Sequence, residues 1–378
     1  MLLQRTIRHD SRVKREARAL VAAGHEVVVV QLEPGAAVTE RTPDGYDLVT
    51  ISRSERIRHL LPLKLYRAVY VVSLIRAALR TRPDADHAHD VAMLTPGWVV
   101  ARLRRLPLVY DTHEFALGAP YRTRPDAVLV RAIERLFIRG TAAVVTVSPG
   151  IAERLQSHYH LTRPPVVVRN LPDVEAFTDA PGADLRRATG IEGGTIVLHQ
   201  GAPARHRGCE TLIASLAHQA PDFHVVFLGD GEAAYVAGLQ KLASEAGLAD
   251  RVHFLPSVAS GEVLSWTRTA DVGVSLLEDV AENHRLALPN KLFEYVAAGV
   301  PPVVSALPEA QRAVAELGVG WTVNPADPSD VARGVRVALA ARGPELDSRL
   351  RAAAAGAAWS SERQRLADLY SALPLRRA

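Results

Sequence analysis

Between Leu288 and Pro301 the chain sets a cation, a carboxylate and the start of a helix within two turns of one another. The run is Leu288-Pro289-Asn290-Lys291-Leu292-Phe293-Glu294-Tyr295-Val296-Ala297-Ala298-Gly299-Val300-Pro301. It reads as a polar loop, a short helix, a glycine stop and a buried strand over 302–305. Pro289 suits the first turn of a helix, where no N–H is needed. The free backbone N–H groups of that turn, near Asn290, form an anion site. Lys291 adds a positive charge beside it, and Glu294 can accept two hydroxyl hydrogen bonds. A phosphate at a helix start and a diol on a carboxylate together describe a nucleotide sugar.

Other candidates stand at the ends of expected strands. Gln200-Gly201-Ala202-Pro203-Ala204-Arg205-His206-Arg207-Gly208 follows a strand expected over 195–199. Gly201 there lets a ligand approach the backbone. Arg207 is placed to hold a diphosphate with forked hydrogen bonds. Gly229-Asp230-Gly231-Glu232 follows the strand ending at Leu228, although a plain turn would look the same. In the first half, Asp111, His113 and Glu114 close the buried run Leu108–Tyr110. In Asp86-His87-Ala88-His89-Asp90, alternation puts His87 and His89 on one face, as in a metal pair. Asp84-Ala85-Asp86 matches an Asp-x-Asp metal motif, but three residues match too easily to count.

Together these motifs resemble the GT-B fold glycosyltransferases of the large retaining GT4 family (glycosyl transferases group 1), in particular the subgroup with Pro-Asn-Lys-Leu-Phe-Glu-Tyr. The resemblance runs from Asp10 to about Tyr370 and is strongest over 286–304. It implies an α/β protein of two Rossmann-like, doubly wound domains facing a cleft, with a C-terminal helix crossing back to the first domain. It implies that Glu294 binds the ribose hydroxyls, with Pro289 and Asn290 at the phosphate turn. Gly201, Gly229 and Val258 (in Phe254–Val258) would line the nucleotide. Arg207 and Lys291 would carry the leaving diphosphate, and His113 would stand beside the donor sugar at the reaction centre. On the acceptor side it implies His9, Asp10, Arg12, His89, Asp111 and Glu114; for His89 this reading is preferred to the metal pair. No metal and no cofactor besides the nucleotide-sugar donor is implied, and UDP is the default nucleotide, with GDP next. The implied reaction transfers a hexosyl group to an acceptor hydroxyl with retention of anomeric configuration.

This sequence departs from the family pattern in three places. Ala202 stands in the usual Arg position of the diphosphate loop, with Arg207 in the Lys position. The Glu usually found eight residues before Glu294 is Leu286, leaving Asn283, His284 and Arg285 as neighbouring polar candidates. Only Met1–Leu3 precede Gln4 where relatives have a full central strand, so the expectation is a true start a few codons upstream. Two rival classes share part of this pattern. A Rossmann dehydrogenase lacks its Gly-x-Gly-x-x-Gly here. A GT-B nucleotide-sugar epimerase of the UDP-N-acetylglucosamine 2-epimerase type should carry paired carboxylates and usually lacks Pro-Asn-Lys-Leu-Phe-Glu.

The positioning elements follow from pattern. At 378 residues the chain exceeds what one core usually serves, so two domains are expected. Val13, Ala17, Leu20 and Val21 share a helical face, Gly24 stops that helix, and Glu26–Gln31 reads as a strand buried on both sides. Further strands are expected near 47–51, 86–89, 107–110, 143–147 and 165–168. After the irregular stretch Asn170–Gly182, a second set follows near 195–199, 223–228, 251–254, 271–276, 301–304 and 320–323. The expected division is 1–172 for an acceptor-binding domain, 173–358 for a donor-binding domain and 359–378 for the returning helix, with Ser360 as its N-cap. A net charge of +4 suits phosphate-bearing ligands or an anionic membrane surface and is too small to argue for nucleic acid. One cysteine, Cys209, excludes an internal disulfide, and a reducing cytoplasmic setting is expected. No apolar run reaches the roughly 18 residues a membrane span needs. The basic, apolar segment over 57–80, with Arg56, Arg58, Lys64, Arg67, Arg76 and Arg80, suits peripheral contact with anionic lipid, or a domain helix with snorkelling arginines, the preferred reading. The acceptor is a small molecule or a lipid-linked glycan, and oligomeric state is left open.

Overall fold

The computed structural model describes residues 1–4, 6–53, 59, 62–119, 123–177 and 180–375. The chain divides into two units, one of Met1–Asn170 with the segment from Ser360, the other of Leu171–Trp359.

The first unit runs β1 (Leu2–Leu3), α1 (Ser11–Ala22), β2 (Val28–Glu33), β3 (Val38–Arg41), β4 (Asp47–Ser52), α2 (Leu63–Arg80), β5 (Asp86–His89), α3 (Asp90–Arg104), β6 (Leu108–Thr112), α4 (Arg124–Phe137), β7 (Ala143–Thr146), α5 (Pro149–Tyr159) and β8 (Val166–Val167). Its sheet has the order β3-β4-β2-β1-β5-β6-β7-β8 and is parallel except for β3 against β4. The order reverses at β1, which pairs with β2 on one side and β5 on the other. Such a switch point opens a crevice at the carboxyl ends of the strands. β1 is only two residues long, yet it occupies the central place. β3 escaped the sequence reading because its four residues are all exposed, so no apolar run marks it.

The second unit runs α6 (Leu185–Thr189), β9 (Thr195–Gln200), α7 (Cys209–Ser215), β10 (Phe223–Leu228), α8 (Ala233–Glu245), β11 (Val252–Leu255), α9 (Val263–Thr267), β12 (Val272–Ser275), α10 (Glu282–Leu286), α11 (Asn290–Ala297), β13 (Pro302–Ser305), α12 (Pro308–Leu317), β14 (Trp321–Val323), α13 (Pro328–Ala340) and α14 (Pro344–Gly356). Its six strands are all parallel, in the order β11-β10-β9-β12-β13-β14. Every residue of β9 is buried, as expected of a central parallel strand covered on both faces. The last helix, α15 (Trp359–Ser371), brings Glu362 to Arg169 at 2.8 Å and Tyr370 to His87 at 2.8 Å within the first unit.

Two helix starts differ from expectation by a residue. Pro289 is the N-cap of α11, with extended backbone, and Asn290 is the first helical residue. Ser360 lies inside α15, which already begins at Trp359.

Candidate active site

In the second unit the predicted residues gather at the carboxyl edge of the sheet. Gly201 follows β9 and Gly229 follows β10, with φ of +104° and +148°. A Cβ on Gly229 would stand 2.6 Å from the Gly201 carbonyl carbon, so the two turns meet backbone to backbone. A Cβ on Gly201 would lie 3.3 Å from Lys291 Cε, which places the lysine stem directly over the β9 turn. Lys291 Nζ donates to Glu294 Oε2 at 2.8 Å. The same carboxylate oxygen accepts from Gln200 Nε2, and Gln200 Oε1 accepts from Thr267 Oγ1 at 2.6 Å. Glu294 is therefore held from two sides through Oε2.

Below it, Tyr295 anchors α11 to the sheet. Its hydroxyl accepts the Gln200 N–H at 3.0 Å and lies 3.1 Å from Leu198 O and 3.0 Å from Val274 O. Its ring lies on β12 at Gly273, where any Cβ would overlap it. Burial raises the Tyr295 phenol, so it remains a neutral hydrogen-bonding group. His199, one residue before Gln200, is driven down to about 3 by burial, then by Arg207 and Lys291. Both cations thus act on one neutral imidazole at the end of β9. Arg207 is exposed in the loop after Gly201. That loop is pinned by Glu278, whose N–H donates to His206 O at 3.1 Å and whose carboxylate lies 3.0 Å from His206 Nδ1. Val258, half-buried after β11, packs on the apolar cluster that includes Tyr295. Ser257 donates to Asp230, tying the β11 and β10 turns together. Leu286 closes α10; Asn283 and His284 are buried there, while Arg285 turns to Asp279 at 2.6 Å. Cys209 is buried and its thiol is pushed up to about 11 by burial, so it offers no nucleophile.

The first unit collects a second set at the carboxyl ends of β5 and β6. Arg12, on α1 and 3% exposed, forks onto Asp111: Nε donates to Oδ2 at 3.1 Å and Nη2 to Oδ1 at 3.1 Å. Its Nη1 donates to Val168 O at 2.6 Å, and Glu16 lies 2.9 Å from its Nε. Burial opposes charge on Asp111, but Arg12, then His113, His87 and His89, hold it well below the usual carboxylate range. Glu16 moves the other way, raised well above its ordinary value by burial and by the neighbouring Asp111 against the pull of Arg12. The two buried carboxyls are thus pushed in opposite directions by the same surroundings. Burial lowers both His87 and His89, so these imidazoles are neutral. His89 Nδ1 lies 3.2 Å from His113 Nε2, and His113 Nδ1 lies 3.6 Å from Asp90 Oδ2. Asp90, with φ of +62°, also accepts the His113 N–H at 3.2 Å. A non-glycine residue in that region is strained, and strain of this kind collects at functional sites.

Glu16, His87, His89 and Asp111 bring ligand atoms within 4.8 Å of one another, the arrangement of a cation site. Arg12 already supplies a positive charge between the two carboxylates. Asp10 caps α1, accepting the Val13 N–H at 3.0 Å, so half of its carboxylate is committed to structure. Glu114 is half-buried just past β6. His9 ends the turn Ile7–His9, and its side chain lies outside the described residues. The sequence reading gave no role to Gln200, Thr267, Tyr295, Asp90 or Tyr370. Gln200 and Tyr295 adjoin residues it did single out; Thr267 and Tyr370 carry no local signal.

Two family models match the chain side by side: Glycosyltransferase Family 4 over residues 11–176 and Glycosyl transferases group 1 over residues 183–357. The chain is 28% identical over 336 residues to a D-inositol 3-phosphate glycosyltransferase of Paenarthrobacter aurescens, covering 84% of this chain and 81% of that one. It is 28% identical over 263 residues to an alpha-D-kanosaminyltransferase of Streptomyces kanamyceticus, covering 61% and 67%. Among solved structures it is similar to Anabaena HepE in complex with UDP, with a TM-score of 0.73 and 19% identity over 98% of this chain and 99% of that one. It is also similar to a sucrose-phosphate synthase from Thermosynechococcus elongatus, with a TM-score of 0.77 and 18% identity over 98% of each. With both sheets and both family models in register along its length, this chain belongs to the GT4-type glycosyltransferases of GT-B fold.

Proposed function

We propose that this enzyme transfers a hexosyl group from a UDP-sugar to an acceptor hydroxyl, with retention of anomeric configuration and without a metal ion. The arrangement of Gly201, Gly229, Lys291 and Glu294 carries this reading. The two glycines let their turns close backbone to backbone, and the Lys291 stem lies over the Gly201 turn with its ammonium beside Glu294, so a diphosphate would meet backbone and cation together at the start of α11. Glu294, fixed by Gln200, presents an acceptor to a ribose diol. Diphosphate departure builds negative charge as the anomeric C–O bond breaks. Arg207, Lys291 and the N–H groups at the start of α11 are the groups to stabilise it, and preorganised donors of this type contribute about 3–4 kcal/mol each. Their two fixed charges take the part that a metal would otherwise play. On this reading the leaving phosphate takes the proton of the incoming hydroxyl on the same face of the sugar.

The first unit takes the acceptor side of the proposal. His113, backed by His89, Asp90 and Asp111, is the polar group to stand beside the donor sugar. Arg12, bound to Asp111, is the strut that holds that edge in shape. The named relatives act on a polyol phosphate and in aminosugar transfer, which supports a small hydroxylated or glycan acceptor. The reading places the work in the cytoplasm, where a chain with one buried cysteine is at no disadvantage.

Calorimetric titration of UDP, GDP and dTDP, with EDTA and with Mg²⁺, tests the donor site. UDP is expected to bind best and equally in both buffers, and Glu294→Ala is expected to weaken it by about 10- to 100-fold, the loss of a charged hydrogen bond. Equal binding by the variant, or binding only with Mg²⁺, would sink the assignment. The anomeric coupling constant of the first-formed product then reads retention, and donor turnover without acceptor would favour an epimerase.

A further inference from the structure

Twelve large apolar side chains stand exposed among the described residues, and seven of them lie on α2, α3 and α4. These helices share one layer. Each crosses in the same direction along the order β4…β5-β6-β7, and right-handed crossovers then put all three on one face of the sheet. α2 and α4 both pack against α3. Their inner sides are used: Tyr66, Tyr70 and Leu74 of α2 are buried, and Glu134 of α4 accepts from Tyr110 on β6 at 2.7 Å. Their outer sides point away from the sheet together.

That outer surface is apolar where it should be polar. α2 shows Leu65, Val69 and Val72 at helical spacing. α4 shows Val128, Leu129 and Leu136, the last 71% exposed, and α3 ends on Leu103, 65% exposed. Exposed apolar side chains gathered on one face point to an interaction surface. The exposed charges on these helices are predominantly positive. α2 contains no acid, α3 only Asp90 at its opposite end, and the one exposed acid of α4 is Asp126 in its first turn. Exposed arginines follow instead: Arg76 and Arg80 on α2, Arg102 and Arg104 on α3, Arg131 and Arg135 on α4. All three helices run antiparallel to the strands they precede, so their arginine-rich ends share the amino edge of the sheet. Arg104 Nη2 donating to Leu79 O at 2.9 Å shows α2 and α3 meeting there. Arginines at helix ends offset the helix dipole on any protein. The dipole gives no reason for exposed leucines between them.

We propose that this three-helix face docks on an anionic lipid surface, its leucines and valines entering the acyl boundary and its arginines binding headgroup phosphates. Apolar burial joined to cationic attraction is the chemistry of interfacial helices. The segment over 57–80 accounts for only one of the three helices; side chains of Lys64 and Arg67 and the residues around 54–58 lie outside the described residues and are not needed. The donor site plays no part in the contact, so the proposal stands apart from sugar transfer.

Flotation of the whole chain with vesicles tests it. Binding is expected to an equal mixture of phosphatidylcholine and phosphatidylglycerol, not to phosphatidylcholine alone, and to weaken as salt is raised. Arg131→Ala and Arg135→Ala are each expected to weaken binding about fivefold. The pair Leu129→Glu and Leu136→Glu is expected to abolish it while UDP binding and the melting temperature stay unchanged. No flotation with anionic vesicles, or flotation untouched by these variants, would overturn the proposal. Self-association lost in the same variants, without vesicle binding, would overturn it too and assign the face to a second copy of the chain.

Discussion

His199 makes the protonation of the second unit matter. Its folded value of about 3 lies below the ordinary 6.5 of a free imidazole. Between those values the unfolded chain binds a proton that the folded chain refuses. The stability this adds is therefore complete above about pH 6.5 and is lost as pH falls toward 3. His87 and His89 shift in the same direction and add to the slope. The melting temperature is expected to fall between about pH 7 and about pH 5, less steeply in His199→Phe; an equal slope in that variant would show that His199 is not the titrating group. At this scale the chain was half legible. Lys291 and Glu294 sit one turn apart in sequence and also in space. Glu16 pairs with Arg12 one helical turn away, whereas Tyr370 acquires meaning only through His87, at a separation of 283 residues.

Among the elements, the meeting of the β9 and β10 turns is the tightest constraint. Gly229→Ala would drive a Cβ to 2.6 Å from the Gly201 carbonyl carbon and 2.9 Å from Ala202 N. The turns must part, at a cost of about 1–3 kcal/mol for a strained backbone, and Lys291 must move with Gly201. A lower melting temperature and weakened UDP binding are expected together in a thermal shift assay; a variant that melts normally and binds UDP normally would show the turns to be looser than drawn. Strands were the most legible elements, because parallel strands buried on both faces read as continuous apolar runs. β3 was not, since an exposed edge strand has no such run. Helix starts shifted by a residue at Pro289 and Ser360, the usual uncertainty where caps decide the boundary.

For the whole molecule, charge is informative by location and not by amount. A net +4 says little, while its concentration on α2, α3 and α4 singles out one face of one unit, which only the topology reveals. The fold class was readable from alternating patterns, the nucleotide-sugar ligand from one helix start, and the reaction class from the family resemblance that these motifs carry. The acceptor was not, because the residues proposed to meet it come from several strand ends. The grip of Tyr295 on Gln200 has one more consequence. The Gln200 amide bonds a side chain of α11, although it sits at the end of a strand buried along its whole length. It can exchange with solvent whenever α11 lifts, without the sheet coming apart. The amides of Val197 and Leu198, inside β9, wait for global unfolding. In deuterium exchange, Gln200 is expected to label faster than those two and to slow selectively when nucleotide holds α11 down. Equal rates at all three would mean that α11 and the sheet open as one. A single backbone hydrogen thus serves as a clock for the opening of the donor helix, readable in the enzyme at rest.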